Sequence, residues 1–98
     1  MKDILKSLSK LLENSVRLGI MSALMVNDSI DFNTLKELLD VTDGNLASHL
    51  KALEKNDLIE VRKQFIGRKP NTCYSITPKG KTVFNQHLNA LEKLINNN

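Results

Sequence analysis

FNTLKELLDVTDGNLASHLKALEKN, residues 32–56, carries two helical patterns interrupted by a turn. Leu35, Leu38 and Leu39 mark the inner stripe of the first, and Leu46, Leu50 and Leu53 that of the second. Both follow the i, i+3/i+4, i+7 spacing of a half-buried helix. Asp40-Val41-Thr42-Asp43-Gly44 breaks the period between them. Thr42 offers a capping hydroxyl to the second helix, Asp43 suits the positive end of its dipole, and Val41 plugs the corner. Two short helices around a small apolar corner make a helix-turn-helix.

The outer face of the second helix is the first candidate site. At about 100° per residue, Asn45, Ser48, His49 and Ala52 fall on a strip turned away from the leucines, with Lys51 and Lys55 flanking it. Short hydrogen-bonding side chains backed by long cations suit a helix that enters a major groove, where the former meet base edges and the latter phosphates. On this helix alone, an ordinary solvated face reads the same.

Upstream, Ile4, Leu5, Leu8, Leu11 and Leu12 predict a first helix with Lys2, Lys6, Lys10 and Glu13 outside. Asn14-Ser15 is a joint or cap, and a second helix runs from about Val16 to Val26, apolar nearly all round and therefore central. Asn27-Asp28-Ser29 ends it, Ile30-Asp31-Phe32 is a candidate minimal strand, and Asn33 a cap for the helix that follows. Downstream of Asn56-Asp57 the period changes to two. Ile59, Val61 and Phe65 lie on the inward side, Glu60, Arg62 and Gln64 on the other, and Lys63 breaks the inward pattern. Gly67 to Asn71 is a turn-rich loop, and Thr72 to Thr77 alternates again with Tyr74 and Ile76 inward, so a β-hairpin is expected. Thr77-Pro78 then opens a last helix with a hydroxyl cap and a proline at the first helical position. A frayed end is expected at Asn96 to Asn98.

Arg62, Lys63, Arg68 and Lys69 fall within eight residues free of any acid. Like charges crowded on a hairpin tip repel one another, and a polyanion would supply the missing counter-charge. Basic residues also protect a hairpin edge from aggregation. The charged hairpin follows directly on the candidate reading helix, and both point to nucleic acid. The whole-chain balance of 14 Lys and Arg against 11 Asp and Glu, net +3, permits this partner without demanding it.

The order helix, short strand, two motif helices, basic hairpin, helix resembles the MarR/ArsR-like winged helix-turn-helix transcriptional regulators, in their small stand-alone form. VRLGIMSAL at 16–24, DGNLASHLKALEKNDLIEVRK at 43–63 and YSITPKG at 74–80 carry the likeness, which spans about Val16 to Ala90. It implies an α+β, mostly helical fold with a two-stranded wing, a recognition helix from Thr42 to Asn56, a wing tip from Gly67 to Asn71, and dimerisation through the flanking helices. Thr42, Asn45, Ser48, His49, Lys51, Lys55, Arg62, Lys63, Arg68, Lys69 and Asn71 are accordingly the expected DNA-binding residues. Double-stranded DNA is the expected partner, and the family usually represses. The paired cysteines of metal-sensing ArsR proteins and the longer helical extensions of full MarR proteins have no counterpart here.

The terminal helices carry a second expectation. Phe84, Leu88, Leu91 and Ile95 repeat at 4-3-4 spacing like a heptad seam, and Leu5, Leu8 and Leu12 line the first helix. They offer more apolar surface than a helix-turn-helix with a hairpin needs, which predicts a two-fold homodimer built from both termini. His87, among polar neighbours, is expected to be solvated or interfacial.

Ninety-eight residues suggest one winged-helix domain over 1–98. The single cysteine, Cys73, allows no internal disulfide or thiolate zinc site, reads as a small filler in a reducing compartment, and the isolated His49 and His87 argue against a metal. No catalytic constellation or cofactor motif is visible, no apolar run is long enough to span a bilayer, and the N-terminus does not read as a signal peptide, so a cytoplasmic non-enzyme is expected. Two other readings stay open. One is a protein-interaction module, which calls for an apolar outer face on the motif. The other is a ligand-responsive sensor with a pocket at a dimer interface; the sequence does not identify an effector.

Overall fold

A computed structural model describes residues 1–96. Asn97 and Asn98, part of the expected fray, lie outside the described residues, while Asn96 still belongs to the last helix. The elements run α1 (Lys2–Lys6), a 3-10 turn (Leu11–Glu13), α2 (Ser15–Met25), β1 (Ile30–Asp31), α3 (Phe32–Leu39), α4 (Asp43–Lys55), β2 (Ile59–Ile66), β3 (Lys69–Ile76) and α5 (Pro78–Asn96). The strands form one antiparallel sheet in the order β1-β3-β2, with Ile30 opposite Tyr74 and Val61 opposite Tyr74 on its other side. The two-stranded wing is thus part of a three-stranded sheet.

The core forms where the faces of α2, α3 and α4 meet the inner side of that sheet. Ile20, Met21, Leu24, Leu35, Leu46, Leu50, Leu53, Leu58 and Ile59 are buried, and Val41 packs against them at the motif's corner. As its nearly all-round apolar pattern predicts, α2 is central, with Ile20, Met21 and Leu24 buried. Leu38, expected on the inner stripe of α3, is 62% exposed. It sits at the stripe's edge, beside an open cleft that Ile66 and Cys73 also line.

The helix ends show why the motif turns where it does. Thr42 caps α4 as read, its Oγ1 accepting from the Asn45 N–H at 3.2 Å. At the other end of α4, the Leu58 N–H donates to the Leu53 carbonyl and the Asp57 N–H to that of Glu54, both at 3.0 Å, with Asp57 left-handed at φ 59°. This Schellman closure stops the helix and delivers Leu58 into the core. Asn14 caps α2 through Oδ1, bonded to the N–H groups of Val16 and Arg17.

The cap of α3 differs from the expectation. It is Asp31, not Asn33, because the helix already begins at Phe32 and the extended Asp31 aims Oδ1 at the Thr34 N–H, 2.8 Å away. Hydrogen bonding from Thr34 holds this carboxyl below the usual carboxylate range. The folded value is the lower one, so the contribution is present above the unfolded carboxylate's range and is lost as pH falls through the folded one. Asp31→Ala is expected to destabilise the fold by about 1 kcal/mol near neutrality. The deficit should shrink on acidification, and Asp31→Asn should restore most of it without the pH dependence. Thermal unfolding of the three proteins at neutral and acid pH measures this.

The N-terminus is also not the continuous helix expected from Ile4 to Leu12. α1 stops at Lys6, and the chain turns through Ser7 to Lys10 before the 3-10 turn. The break follows from a long-range bond, since the Ser9 N–H donates to Nδ1 of His87 on α5 at 3.0 Å. An N–H committed to that ring cannot serve an α-helical ladder. His87, expected to be solvated or interfacial, is 3% exposed within its own subunit. Of the residues assigned to a dimer seam, Leu12 and Phe84 are buried inside their own subunit, whereas Leu5 and Leu88 are exposed.

Candidate nucleic-acid interface

The two pieces read as nucleic-acid-facing are both open. On α4, Asn45, Ala47, Ser48, Lys51 and Lys55 are exposed, as is Gly44, while His49 and Ala52 are half-buried. The centre of the free face therefore runs along Gly44, Ser48, Lys51 and Lys55, one step round from the strip drawn from sequence. The two lysines lie within the face rather than behind it. Lys36 on α3 bonds Asp43 at 2.8 Å, so part of the acid at the start of α4 is neutralised within the motif. Glu54, an acid absent from the sequence reading of this helix, lies on the flank toward the sheet. Burial first, and then the charge of Glu54, push the Tyr74 hydroxyl above its usual range.

The wing projects from the body. Beyond Val61 and Tyr74 every residue of β2, Arg62 to Ile66, is exposed. Phe65, expected inward, is 75% exposed because the hairpin has outrun the core by that point. Its tip is tighter than the expected loop from Gly67 to Asn71. The strands pair up to Ile66 opposite Lys69, leaving a two-residue turn, Gly67-Arg68. Gly67 makes this possible at φ 66°, a conformation without a Cβ penalty only for glycine. Pro70 lies in β3 opposite Phe65, beyond the short β1 that pairs only with Cys73 and Tyr74, so its missing N–H removes no bond on that edge. Arg62, Lys63, Arg68 and Lys69 all remain exposed, as the sequence reading required.

A family model described as a winged helix DNA-binding domain matches residues 16–95. The chain belongs to the winged-helix DNA-binding family. It is 36% identical to an uncharacterised protein of Methanocaldococcus jannaschii over 88 residues, which cover 90% of this chain and 96% of that one. The solved structure of a transcriptional regulator homologue from Pyrococcus horikoshii OT3 matches with a TM-score of 0.86 at 38% identity, over 98% of this chain and 93% of that chain. A protein from Enterococcus faecalis V583, assigned in its description to the MarR family of transcriptional regulators, shares the fold, with a TM-score of 0.70 at 24% identity over 88% of this chain and 74% of that one. The winged-helix family and fold expected from the sequence therefore hold, and the likeness to the MarR-family structure is one of fold.

Within this winged helix, the expected site residues divide into three groups. Asn45, Ser48, Lys51 and Lys55 share the free face of α4, and Arg62, Lys63, Arg68 and Lys69 share the wing. Thr42 and Asn71 are occupied in local structure, the first as the α4 cap and the second accepting from the Cys73 thiol at 2.8 Å. His49 is turned to the flank of α4, where Nδ1 lies 3.1 Å from Nη1 of Arg17 on α2. Sequence reading missed Arg17, which stands 32 positions from His49 and reaches it only through the packing of α2 on α4. It also missed Gly44 and Ala47, which carry no polar signal yet open the face to close approach. No helix among the described residues is long and apolar enough to cross a membrane.

Proposed function

We propose that this winged helix is a homodimeric, cytoplasmic transcriptional repressor that binds a pseudo-palindromic operator, acting as a single domain over residues 1–98 with its terminal helices as the dimer contact. The observation that supports the reading is the open face of α4. Gly44, Asn45, Ala47, Ser48, Lys51 and Lys55 are exposed along it and are small, polar or cationic, with the acid Glu54 on the flank toward the sheet. An apolar docking face would look different. Two such helices, one per subunit, would enter successive major grooves about 34 Å apart. Asn45, Ser48 and His49 are the base-edge residues of this proposal. Lys51, Lys55, Arg62, Lys63, Arg68 and Lys69 are the phosphate and minor-groove residues. Leu5 and Leu88, exposed on α1 and α5, anchor the dimer together with the neighbouring Leu8, Leu91 and Ile95.

Gel-shift titration at several salt concentrations tests the proposal. If half of the six cations per subunit meet phosphates, log K should fall with log[salt] at a slope of about −5 for the dimer. Arg68→Ala should weaken all sequences alike, whereas Ser48→Ala and Asn45→Ala should change which base is preferred. A flat salt dependence, or a monomer mass at micromolar concentration, would remove the corresponding part of the reading.

A further inference from the structure

His49 is one of the two histidines of the chain, and its ring does not stand free on the reading face. Arg17 comes from α2 to meet it, with Nη1 3.1 Å from Nδ1. The arginine is itself fixed from a second side, because its Nε donates to the Leu11 carbonyl at 2.6 Å. That bond ties it to the 3-10 turn ahead of α2. A guanidinium bears N–H groups on all its nitrogens, has no acceptor and keeps its proton. Nδ1 must therefore present its lone pair to Arg17. In a neutral imidazole the single ring proton then resides on Nε2, on the far side of the ring from Arg17.

We infer that Arg17 is a positioning residue for base readout: it holds His49 as the Nε2–H tautomer, making it a directed hydrogen-bond donor to a base edge in the major groove. The inference rests on the proposed DNA-binding role of α4. A fixed donor seeks an acceptor, and guanine, with N7 and O6 side by side, offers the best one in the major groove. Cytosine presents a donor there and is rejected. Arg17 need not touch DNA for this. It acts by removing the other tautomer and other ring orientations, as partners of functional histidines do elsewhere.

Nitrogen NMR of the whole protein, labelled at histidine, tests the first half without DNA. The His49 signals are identified by their loss in His49→Gln. His49 of the unaltered protein should show a bare Nδ1 and a protonated Nε2, and Arg17→Met should move both signals toward an average of the two tautomers. A proton found on Nδ1 in the unaltered protein overturns the inference outright. Selection of preferred sites from random DNA tests the second half. Arg17→Met and His49→Ala should relax the same half-site position by about five- to thirtyfold, against a guanine preference there. Asn45→Ala should act at a different position. Arg17→Lys, which keeps a donor, should recover part of the preference, and it replaces Arg17→Met as the test if the methionine variant fails to fold. Equal weakening of every sequence by His49→Ala would assign the ring to a phosphate and overturn base readout. If the unaltered protein bound no DNA at any salt concentration, the proposed function would fail with it. A wild-type protein that selects a site while Arg17→Met changes neither tautomer nor preference removes this inference alone.

Discussion

Gly80→Ala is expected to lower stability by about 3 kcal/mol or more, although alanine is the better helix former. Gly80 lies in the first turn of α5, buried against the corner that closes α4. A Cβ there would overlap the carbonyl oxygen of Leu58 and come within 2.8 Å of Cγ1 of Ile76. The Leu58 oxygen cannot retreat freely, since it accepts from the Thr77 N–H at 3.1 Å. The same corner holds Thr77 Oγ1, which donates to the Asp57 carbonyl at 2.6 Å and accepts from the Gly80 N–H at 2.9 Å. Lys79 Nζ adds a bond to the Asn56 carbonyl at 3.0 Å. Alanine would have to push α5 away from this network. For a chain of this size each kcal/mol corresponds to about 4–8 °C, so the melting temperature should drop by roughly 12–24 °C. A variant that melts at or above the parent temperature would show that α5 is not seated on the Leu58 carbonyl.

That corner also shows how much of the fold was legible in the sequence. The cap and proline at Thr77-Pro78, the cap at Thr42 and the leucine stripes of α4 are local signals, each complete within a few residues, and they appear in the structure as read. The reason for Gly80 is not local. It depends on a carbonyl 22 positions away, and a glycine in a TPKG run looks like an ordinary turn residue. The broken first helix has the same explanation. An apolar period from Ile4 to Leu12 specifies a helix by itself, but the His87 ring competes for the Ser9 N–H from 78 positions away and wins. The burial of His87 is hidden for the complementary reason, because the group it bonds, the Ser9 N–H, lies far from it in sequence.

The candidate site divides along the same line. The wing's charge and the outer face of α4 were legible because a cluster of cations and an unburied helical face are one-dimensional patterns. Their detail was not. An error of one step in the facing angle put Lys51 and Lys55 behind the strip instead of within it. His49 looked like a free surface donor because nothing near it in sequence announces Arg17. The hairpin's inward alternation was extrapolated to Phe65, past the point where a core exists to receive it. Periodicity tells which side a residue takes, but only the length of the neighbouring elements tells where that side stops being covered.

The wing supports the second large expectation. Replacing Arg62, Lys63, Arg68 and Lys69 together by alanine should weaken DNA binding by about a thousandfold near 0.1 M salt and leave folding almost untouched. All four side chains are exposed and stand beyond the last rung of the hairpin to reach the core, half-buried Val61 opposite buried Tyr74. Their removal takes no apolar surface from the interior, and relief of their mutual repulsion offsets any small loss of strand propensity. For binding, the wing holds four of the six proposed cations per subunit, so in proportion it supplies two of the three phosphate contacts. Each contact contributes about 0.9 to the salt slope, so four in a dimer account for about 3.6 of a total of about 5.4, or a factor of 10³ to 10⁴ at 0.1 M. The slope of the variant should fall to about −2, the part left to Lys51 and Lys55. The preferred site should be unchanged, because phosphate contacts set position on the duplex and not the identity of the bases. Unaltered affinity with an unaltered melting temperature would mean that the wing's charges face solvent in the complex, and α4 would then be binding DNA without it. A lost base preference with a normal slope would reverse the assignment, giving the wing the readout and α4 the backbone.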